Sequence, residues 1–180
     1  MKTQETGNRI FLKELTEDLI TEEYLSWFND PLVTEFLESK NLIKSEVIQY
    51  IRQGIETETH YMYAIIYKEN NKHIGNLKIG PILKEHKVSD LVTLIGDRDY
   101  WKKGLATESI RLGNKLAFEK YDLRKLSGAI ASKNIGSIKC YTKADWVIEG
   151  SLKEHLIYNG EYSDRVMVSC FNPKYFSSLP

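Results

Sequence analysis

"RDYWKKGLATES", Arg98 to Ser109, is charged and aromatic as far as Lys103, then passes through Gly104 into a run of good helix formers. The first N–H groups of a helix have no partner within it, and the aligned peptide dipoles place partial positive charge at that end. Gly104 carries no Cβ, so the backbone there can approach a ligand closely. Small Ala106 keeps the next turn open, and Thr107 adds a hydroxyl. Arg98, Lys102 and Lys103 bring the local charge that a diphosphate needs. A glycine between polar residues is also a plain helix start, and flanking lysines are ordinarily solvated, so this stretch alone leaves both readings open. Neither G-x-G-x-x-G nor G-x-x-x-x-G-K-[ST] is present to explain it differently.

The rest of the chain limits what such a site can serve. With 25 Lys plus Arg against 25 Asp plus Glu, the formal net charge is zero, so no global field draws in nucleic acid or an acidic membrane. An anion site must be local. The 180 residues contain no repeat, low-complexity tract or Pro/Gly-rich linker, and one domain over residues 1–180 is expected. No apolar run exceeds strand length and "MKTQETGNRI" has no signal core, which predicts a cytoplasmic protein without a membrane partner. Cys140 and Cys170 have no metal-type spacing and read as reduced thiols; the four histidines are scattered, so no metal site is expected.

Periodicity outlines the elements. "NRIFLKEL" reads as a first strand, and Thr16 to about Asn29 as a helix, with Leu19, Tyr24, Leu25 and Phe28 near helical spacing. A second helix spans about Ser45 to Glu56, with Ser45 as its cap and Val47, Ile48, Ile51 and Ile55 as its stripe. "HYMYAIIYKENNKHIGNLKIGPIL" is a hairpin turning at Asn70 and Asn71, and "DLVTLIG", apolar on both faces, reads as a central strand of a sheet. From Gly104 to about Tyr121 runs the strongest helix, followed by strand "RKLSGAIAS", short helix "NIGSIKCYTKAD" and a final hairpin turning near "NGE". The order predicts a mixed α/β (α+β) sheet.

Two stretches carry a resemblance. "LIGDRDYWKKGLATESI" and, about thirty residues on, "NIGSIKCYTKADWVIEG" resemble the GNAT superfamily of acyl-CoA-dependent N-acetyltransferases, in the branch typified by the RimJ and RimL ribosomal-protein enzymes. The family's phosphate loop [QR]-x-x-G-x-[GA] falls on Trp101, Lys102, Lys103, Gly104, Leu105 and Ala106. Lys102 stands where the branch often has glycine, which matters if that residue needs positive φ. The second pattern, N-x-x-S-x-x-x-Y-x-K-x-G-[FW]-x-x-E-G, is matched by Asn134, Ser137, Tyr141, Lys143, Trp146, Glu149 and Gly150. Asp145 takes its glycine slot, and Asp tolerates a left-handed helix terminus better than most residues.

The resemblance implies a mostly antiparallel central sheet, splayed between its middle strands and flanked by helices. It implies acetyl-CoA as co-substrate, with its diphosphate on Lys103 to Thr107 and its pantetheine arm along the backbone of Leu94 and Gly96, with Asn134 on the other side. Gly96 also suits a bulge. It implies Tyr141 as the group that hydrogen-bonds the departing thiolate. A phenol near ~10 is a poor acid toward a thiol near ~8.5, so hydrogen bonding or concerted transfer fits better than full proton donation. A structural tyrosine packed in the core is the alternative. An acyl-cysteine at Cys140 is disfavoured, because nothing nearby is arranged to ionise it.

An alkyl amine near ~10.4 arrives protonated and must lose a proton before it attacks. "LVTLIG" contains no carboxylate, which leaves His60, Glu149, His155, Asp164 or a water relay as the base. The acceptor is a small-molecule or peptide amine. "EGSLKEHLIYNGEYSDRVMVS" and "WFNDPLVTEFLE" resemble enzymes that acetylate nucleotide-linked amino sugars, while relatives also act on protein N-termini and polyamines. Glu17, Asp18, Glu22 and Glu23 would suit a polyamine, although such acids more often form a solvated helix face. A non-catalytic acyl-CoA-binding module and a homodimer both stay open.

Overall fold

The apolar runs become neighbouring strands of one sheet. The computed structural model describes residues 4–158 and 160–176. Its strands are β1 (Gln4–Thr6), β2 (Ile10–Glu14), β3 (Tyr61–Tyr67), β4 (Lys72–Leu83), β5 (Val88–Ile95), β6 (Lys125–Ala131), β7 (Val147–Tyr158) and β8 (Glu161–Phe171). They lie in the order β1-β2-β3-β4-β5-β6-β8-β7, antiparallel throughout except for β5 and β6. The helices are α1 (Glu22–Trp27), α2 (Lys44–Thr57), α3 (Leu105–Glu119) and α4 (Ile135–Lys143). A parallel pair requires a crossover, and α3 provides it.

Each face of the sheet has its own core. Ile110, Leu116 and Ala117 of α3 and Tyr141 of α4 pack with Leu77, Leu91 and Leu126 on one face. On the other, Tyr24 and Trp27 of α1 and Val47 and Ile51 of α2 cover Ala64 and Ile66. The helix stripes expected from periodicity thus face the sheet, and Gly113 lets α3 approach it: a Cβ there would stand 2.5 Å from Leu77 Cδ1.

β5 and β6 pair only at Val88↔Lys125, Ser89↔Leu126 and Asp90↔Ser127 and then part. This divergence is the splay implied by the resemblance.

Four local expectations are corrected. The Thr16–Asn29 helix is shorter, a 3-10 turn at Glu17–Leu19 followed by α1, because the Thr21 hydroxyl caps α1 by accepting from the Tyr24 N–H at 3.2 Å. Ser45 does not cap α2; Ile43 holds that place without a side-chain bond. β1 pairs with β2 and was not expected. In the first hairpin only Asn71 takes positive φ (56°), while the Asn70 side chain accepts from the Lys72 N–H at 3.1 Å. The final hairpin turns where expected, with Gly160 at φ 81°; Asn159 of "NGE" lies outside the described residues. Both cysteines are free. Among the described residues no helix is long and apolar enough to cross a membrane.

Backbone proximity makes one glycine decisive. A Cβ on Gly75 would lie 2.1 Å from the Leu94 carbonyl oxygen and 2.9 Å from Ile95 Cα, and main chain cannot move aside as a side-chain tip can. Gly150 meets nothing within 4 Å. Gly75→Ala is therefore expected to lower stability in urea unfolding by ~1–3 kcal/mol, as overpacking does. Gly150→Ala should stay within ~0.5 kcal/mol of the parent. Equal stability of the two variants would contradict this packing.

Candidate active site

The loop before α3 is built from two left-handed residues, Lys102 at φ 59° and Gly104 at φ 76°. Lys102 thus stands where positive φ is needed and does without the glycine frequent there, at a cost of ~1–2 kcal/mol of local strain. Gly104 caps α3 without any side-chain bond. The N–H groups of Leu105, Ala106 and Thr107 have no acceptor among the described residues. Leu105 itself is buried at 1% exposure, so it offers only its amide. Lys102 and Lys103 are exposed and form no ion pair among the described residues, and Lys103 Nζ lies 5.1 Å from the Tyr100 ring centre.

Arg9, the residue before β2, holds this loop in place. Its Nη1 donates to the Lys103 carbonyl at 2.6 Å, and its Nε and main-chain N–H grip the Glu108 carboxylate at 2.9 and 2.7 Å. Because a peptide group is planar and trans, a Lys103 carbonyl turned toward Arg9 turns the Gly104 N–H away from it. Arg98, by contrast, is committed to Asp30 at 3.2 Å and to the face of Trp101. Trp101 donates its indole N–H to the Ile95 carbonyl at 2.8 Å, tying the loop to the end of β5.

Tyr141 lies where β5 and β6 part. It is 5% exposed, its ring stands edge-on to Trp146 at 4.8 Å, and its hydroxyl donates at 2.8 Å to the carbonyl of Leu91, the first residue beyond the last β5–β6 pair. Burial pushes its phenol well above the ordinary range, while the Thr93 N–H pulls the other way. The hydroxyl therefore keeps its proton and acts as a donor. Thr93 and Leu91 consequently turn their main-chain groups toward the open edge, and by the two-residue repeat of a strand Leu94 and Gly96 face the other way.

This corrects the expected backbone contacts at Leu94 and Gly96. The Gly96 N–H donates to the Ile74 carbonyl at 3.0 Å, as does that of Asp97 at 3.1 Å, a bulge-like convergence. Gly96 is small because a Cβ would meet the Trp27 ring at 2.1 Å. Leu94 contributes its side chain to the cavity described next. Asn134 caps α4, its Oδ1 accepting from the Ser137 N–H at 3.1 Å. Asp145 takes φ 67° at the terminus of α4, as its place in the motif suggested.

On the α1/α2 face a cavity of about 520 Å³ opens over the splay. Tyr24, Phe28, Phe36, Tyr50 and Tyr158 wall it, Val92, Leu94 and Ala129 form its floor, and Glu38, Glu46, Lys78 and Arg165 bring charge. Burial pushes the Tyr24 phenol up to about 12, so it too stays protonated. None of the four expected bases lines this cavity. His60 is wedged against Tyr50, with Nε2 2.9 Å from its carbonyl, and burial lowers its pKa. Glu149 is held by Lys125 at 2.8 Å and lies below the usual carboxylate range for that reason. Asp164 accepts from the Glu154 N–H at 2.8 Å, and His155 sits exposed on β7. Among the described residues no group of three or more His, Cys, Asp or Glu could hold a metal. Arg9, Asn76, Lys78 and Arg165 escaped the sequence reading because cross-strand register, not local pattern, brings them to the site.

Comparison with known proteins identifies the family and the fold. A family model described as an acetyltransferase (GNAT) domain matches residues 9–147. The chain is 22% identical over 130 residues to the probable N-acetyltransferase YjcK of Bacillus subtilis, covering 72% of this chain and 71% of that one. It is 22% identical over 151 residues to the spermidine N(1)-acetyltransferase of Escherichia coli, covering 84% and 75%. Among solved structures, spermidine N-acetyltransferase from Vibrio cholerae in complex with CoA and spermine superposes with a TM-score of 0.82 at 19% identity, over 94% of this chain and 99% of that one. Ribosomal-protein-S5-alanine acetyltransferase from Vibrio fischeri gives 0.83 at 17% identity, over 96% and 98%.

The strain at position 102 is measurable. Lys102→Gly and Lys102→Ala remove the same charge, but only glycine is at ease at φ 59°. The Gly variant should be the more stable by ~1 kcal/mol in urea unfolding. An Ala variant of equal or greater stability would show that the loop does not hold a left-handed residue there.

Proposed function

We propose, for a chain that belongs to the acetyltransferase (GNAT) family and is an N-acetyltransferase, that it transfers acetyl from acetyl-CoA directly to a primary amine within a ternary complex. The observation that carries the reading is the row of unpartnered amides at Leu105, Ala106 and Thr107, set beside the point where β5 and β6 part. These amides, with Lys103, Gly104 and the cations of Lys102 and Lys103, fit a diphosphate. Trp101 and Arg9 hold the loop in register for it. The open edge of β5, through the Thr93 carbonyl and the Ile95 N–H, offers strand-like hydrogen bonds to a pantetheine arm, and Asn134 and Ser137 at the start of α4 stand across from it.

When bound, acetyl-CoA supplies an activated acetyl group, which the amine takes as CoA leaves with a thiol proton. The chain's residues orient and hydrogen-bond. Tyr141, kept protonated by burial, turns its hydroxyl from the Leu91 carbonyl to donate toward the leaving sulfur rather than surrendering its proton outright. The Ile95 N–H at the β5 edge polarises the carbonyl under attack. With no base candidate inside the cavity, the ammonium loses its proton to water at the open mouth, where Glu38 and Glu46 stand.

For the acceptor, the aromatic walls suit a ring. A nucleotide-linked amino sugar fits them, and its carrier can extend through the mouth. Protein N-termini and polyamines are the competing acceptors, the latter because two of the similar proteins are spermidine acetyltransferases. CoA-thiol release measured across amino sugar nucleotides, polyamines and N-terminal peptides decides among them. Turnover is expected first with the amino sugar nucleotides, and a preference for spermidine would overturn that choice. CoA bound without release by any amine would instead identify a non-catalytic binding module.

Tyr141→Phe separates the chemical role from the structural one. Loss of a hydrogen bond to the departing group should lower kcat by ~10²-fold or more while leaving the Kd for acetyl-CoA almost unchanged. Unaltered kcat would return Tyr141 to the core as a packing residue.

A further inference from the structure

The interior of the cavity contains donors without acceptors. Asn76 is 5% exposed; its Oδ1 lies 3.0 Å from His73 Nε2, but its Nδ2 has no partner among the described residues. Arg165 is half-buried on β8, and its guanidinium takes no hydrogen bond, ion pair or ring contact among the described residues. Lys78 is half-buried on β4 and among the described residues reaches only Tyr50, its hydroxyl at 3.5 Å and its ring centre at 6.0 Å, with no carboxylate paired to it. The two carboxylates of the same cavity, Glu38 and Glu46, are both exposed. Negative charge therefore stands at the rim, where water screens it, and positive charge lies deeper, where screening is weaker.

Register fixes where the two cations stand. Lys78 pairs across from Val92 of β5, and Arg165 across from Ala131 of β6. β4 and β8 are the outer neighbours of the two strands that part. The cations thus flank the splay from opposite sides, on the face where the acceptor enters, and Asn76, opposite Leu94, adds a third donor. Partly desolvating two cations and stranding an amide N–H is unfavourable unless something answers them. A polycationic acceptor would be repelled here.

Resting on the acyl-transfer reading above, we propose that the acceptor amine carries an oxyanion, phosphate or carboxylate, on the same molecule, seated between Lys78 and Arg165 with Asn76 completing its hydrogen bonds. Charge-assisted bonds to such a group are the strong ones, and a guanidinium offers them in pairs. Acceptor choice is then set by what the molecule bears beside its amine.

The test is calorimetric binding to the full chain saturated with CoA, using matched probes: glucosamine 1-phosphate against glucosamine, and β-alanine against propylamine. Each anionic member is expected to bind at least ~10-fold tighter than its neutral partner, or ~1.4 kcal/mol. The larger difference identifies phosphate or carboxylate as the better match. Arg165→Gln and Lys78→Gln should each collapse the ratio, with melting temperatures near the parent's because neither head group has an ionic partner to lose. Equal binding within both pairs, tighter binding of spermidine, no binding of any probe, or a ratio unmoved in both variants would overturn the proposal. CoA-thiol release is scored separately, so amines acetylated without regard to charge would refute the oxyanion seat and leave acyl transfer standing.

Discussion

Everything at the centre of this molecule follows from two parallel strands that stop pairing after Asp90 and Ser127. Backbone groups uncovered in a protein interior must find partners, so a sheet opened in its middle needs something to keep it open. Tyr141 does this at the crotch by donating to Leu91, and its ring is braced edge-on by Trp146. Trp146 is fixed in turn, its indole N–H donating to Asn114 of α3 at 3.0 Å, while Asn114 donates to the Ala144 carbonyl at 3.3 Å. Gly128 completes the arrangement on β6, since a Cβ there would crowd Val168 at 3.2 Å. The tyrosine proposed to serve the leaving thiol is thus also the wedge of the splay, and its one hydroxyl proton must turn from the Leu91 carbonyl to reach the sulfur.

The same economy holds for α3. Its apolar face is core, and its N-terminal amides are left over by the geometry of any helix. What this sequence adds is aim. Two left-handed residues turn the chain so that the amides emerge beside the opening, Trp101 ties the turn to Ile95, and Arg9 reaches over from β2 to hold the Lys103 carbonyl. Glu108 in the first turn would repel an anion if it were free, but it is bound by Arg9 through both oxygens. The acid near the helix start is therefore neutralised locally, and the lysines of the loop keep their charge unpaired.

How much of this was legible depended on whether the signal was local. Strand and helix order, the hairpin at Asn71 and the helix beginning at Gly104 lie within short windows, and hydrophobic spacing reports them. The left-handed residue at Asp145 could be anticipated because its slot takes glycine elsewhere. The start of α1 was missed because Thr16 and Thr21 are equivalent as letters, and only packing decides which one caps. Gly96 was read as a backbone donor, yet its amide is spent on Ile74, a matter of strand parity with no sequence signature. The four candidate bases failed for a related reason: they were chosen by chemistry, while access to the cavity is set by which face of which strand a residue occupies.

Charge shows the same division. The chain is neutral overall, and beyond ~8 Å ordinary salt screens what field remains, so attraction must act at contact range. Many carboxylates are tied up, as Glu108, Asp122 and Glu149 are by Arg9, Lys174 and Lys125. Among the described residues no carboxylate pairs with Lys102 and Lys103 before α3, or with Lys78 and Arg165 in the cavity. One pair stands at the start of the helix that follows β5, the other lines the cavity on the α1/α2 face. In the proposed reaction the acetyl donor is drawn to the helix start and the acceptor to the cavity, and a continuous sheet would hold them apart. They can meet only where β5 and β6 part, so the broken pairing that costs backbone hydrogen bonds is what gives the two substrates a common point.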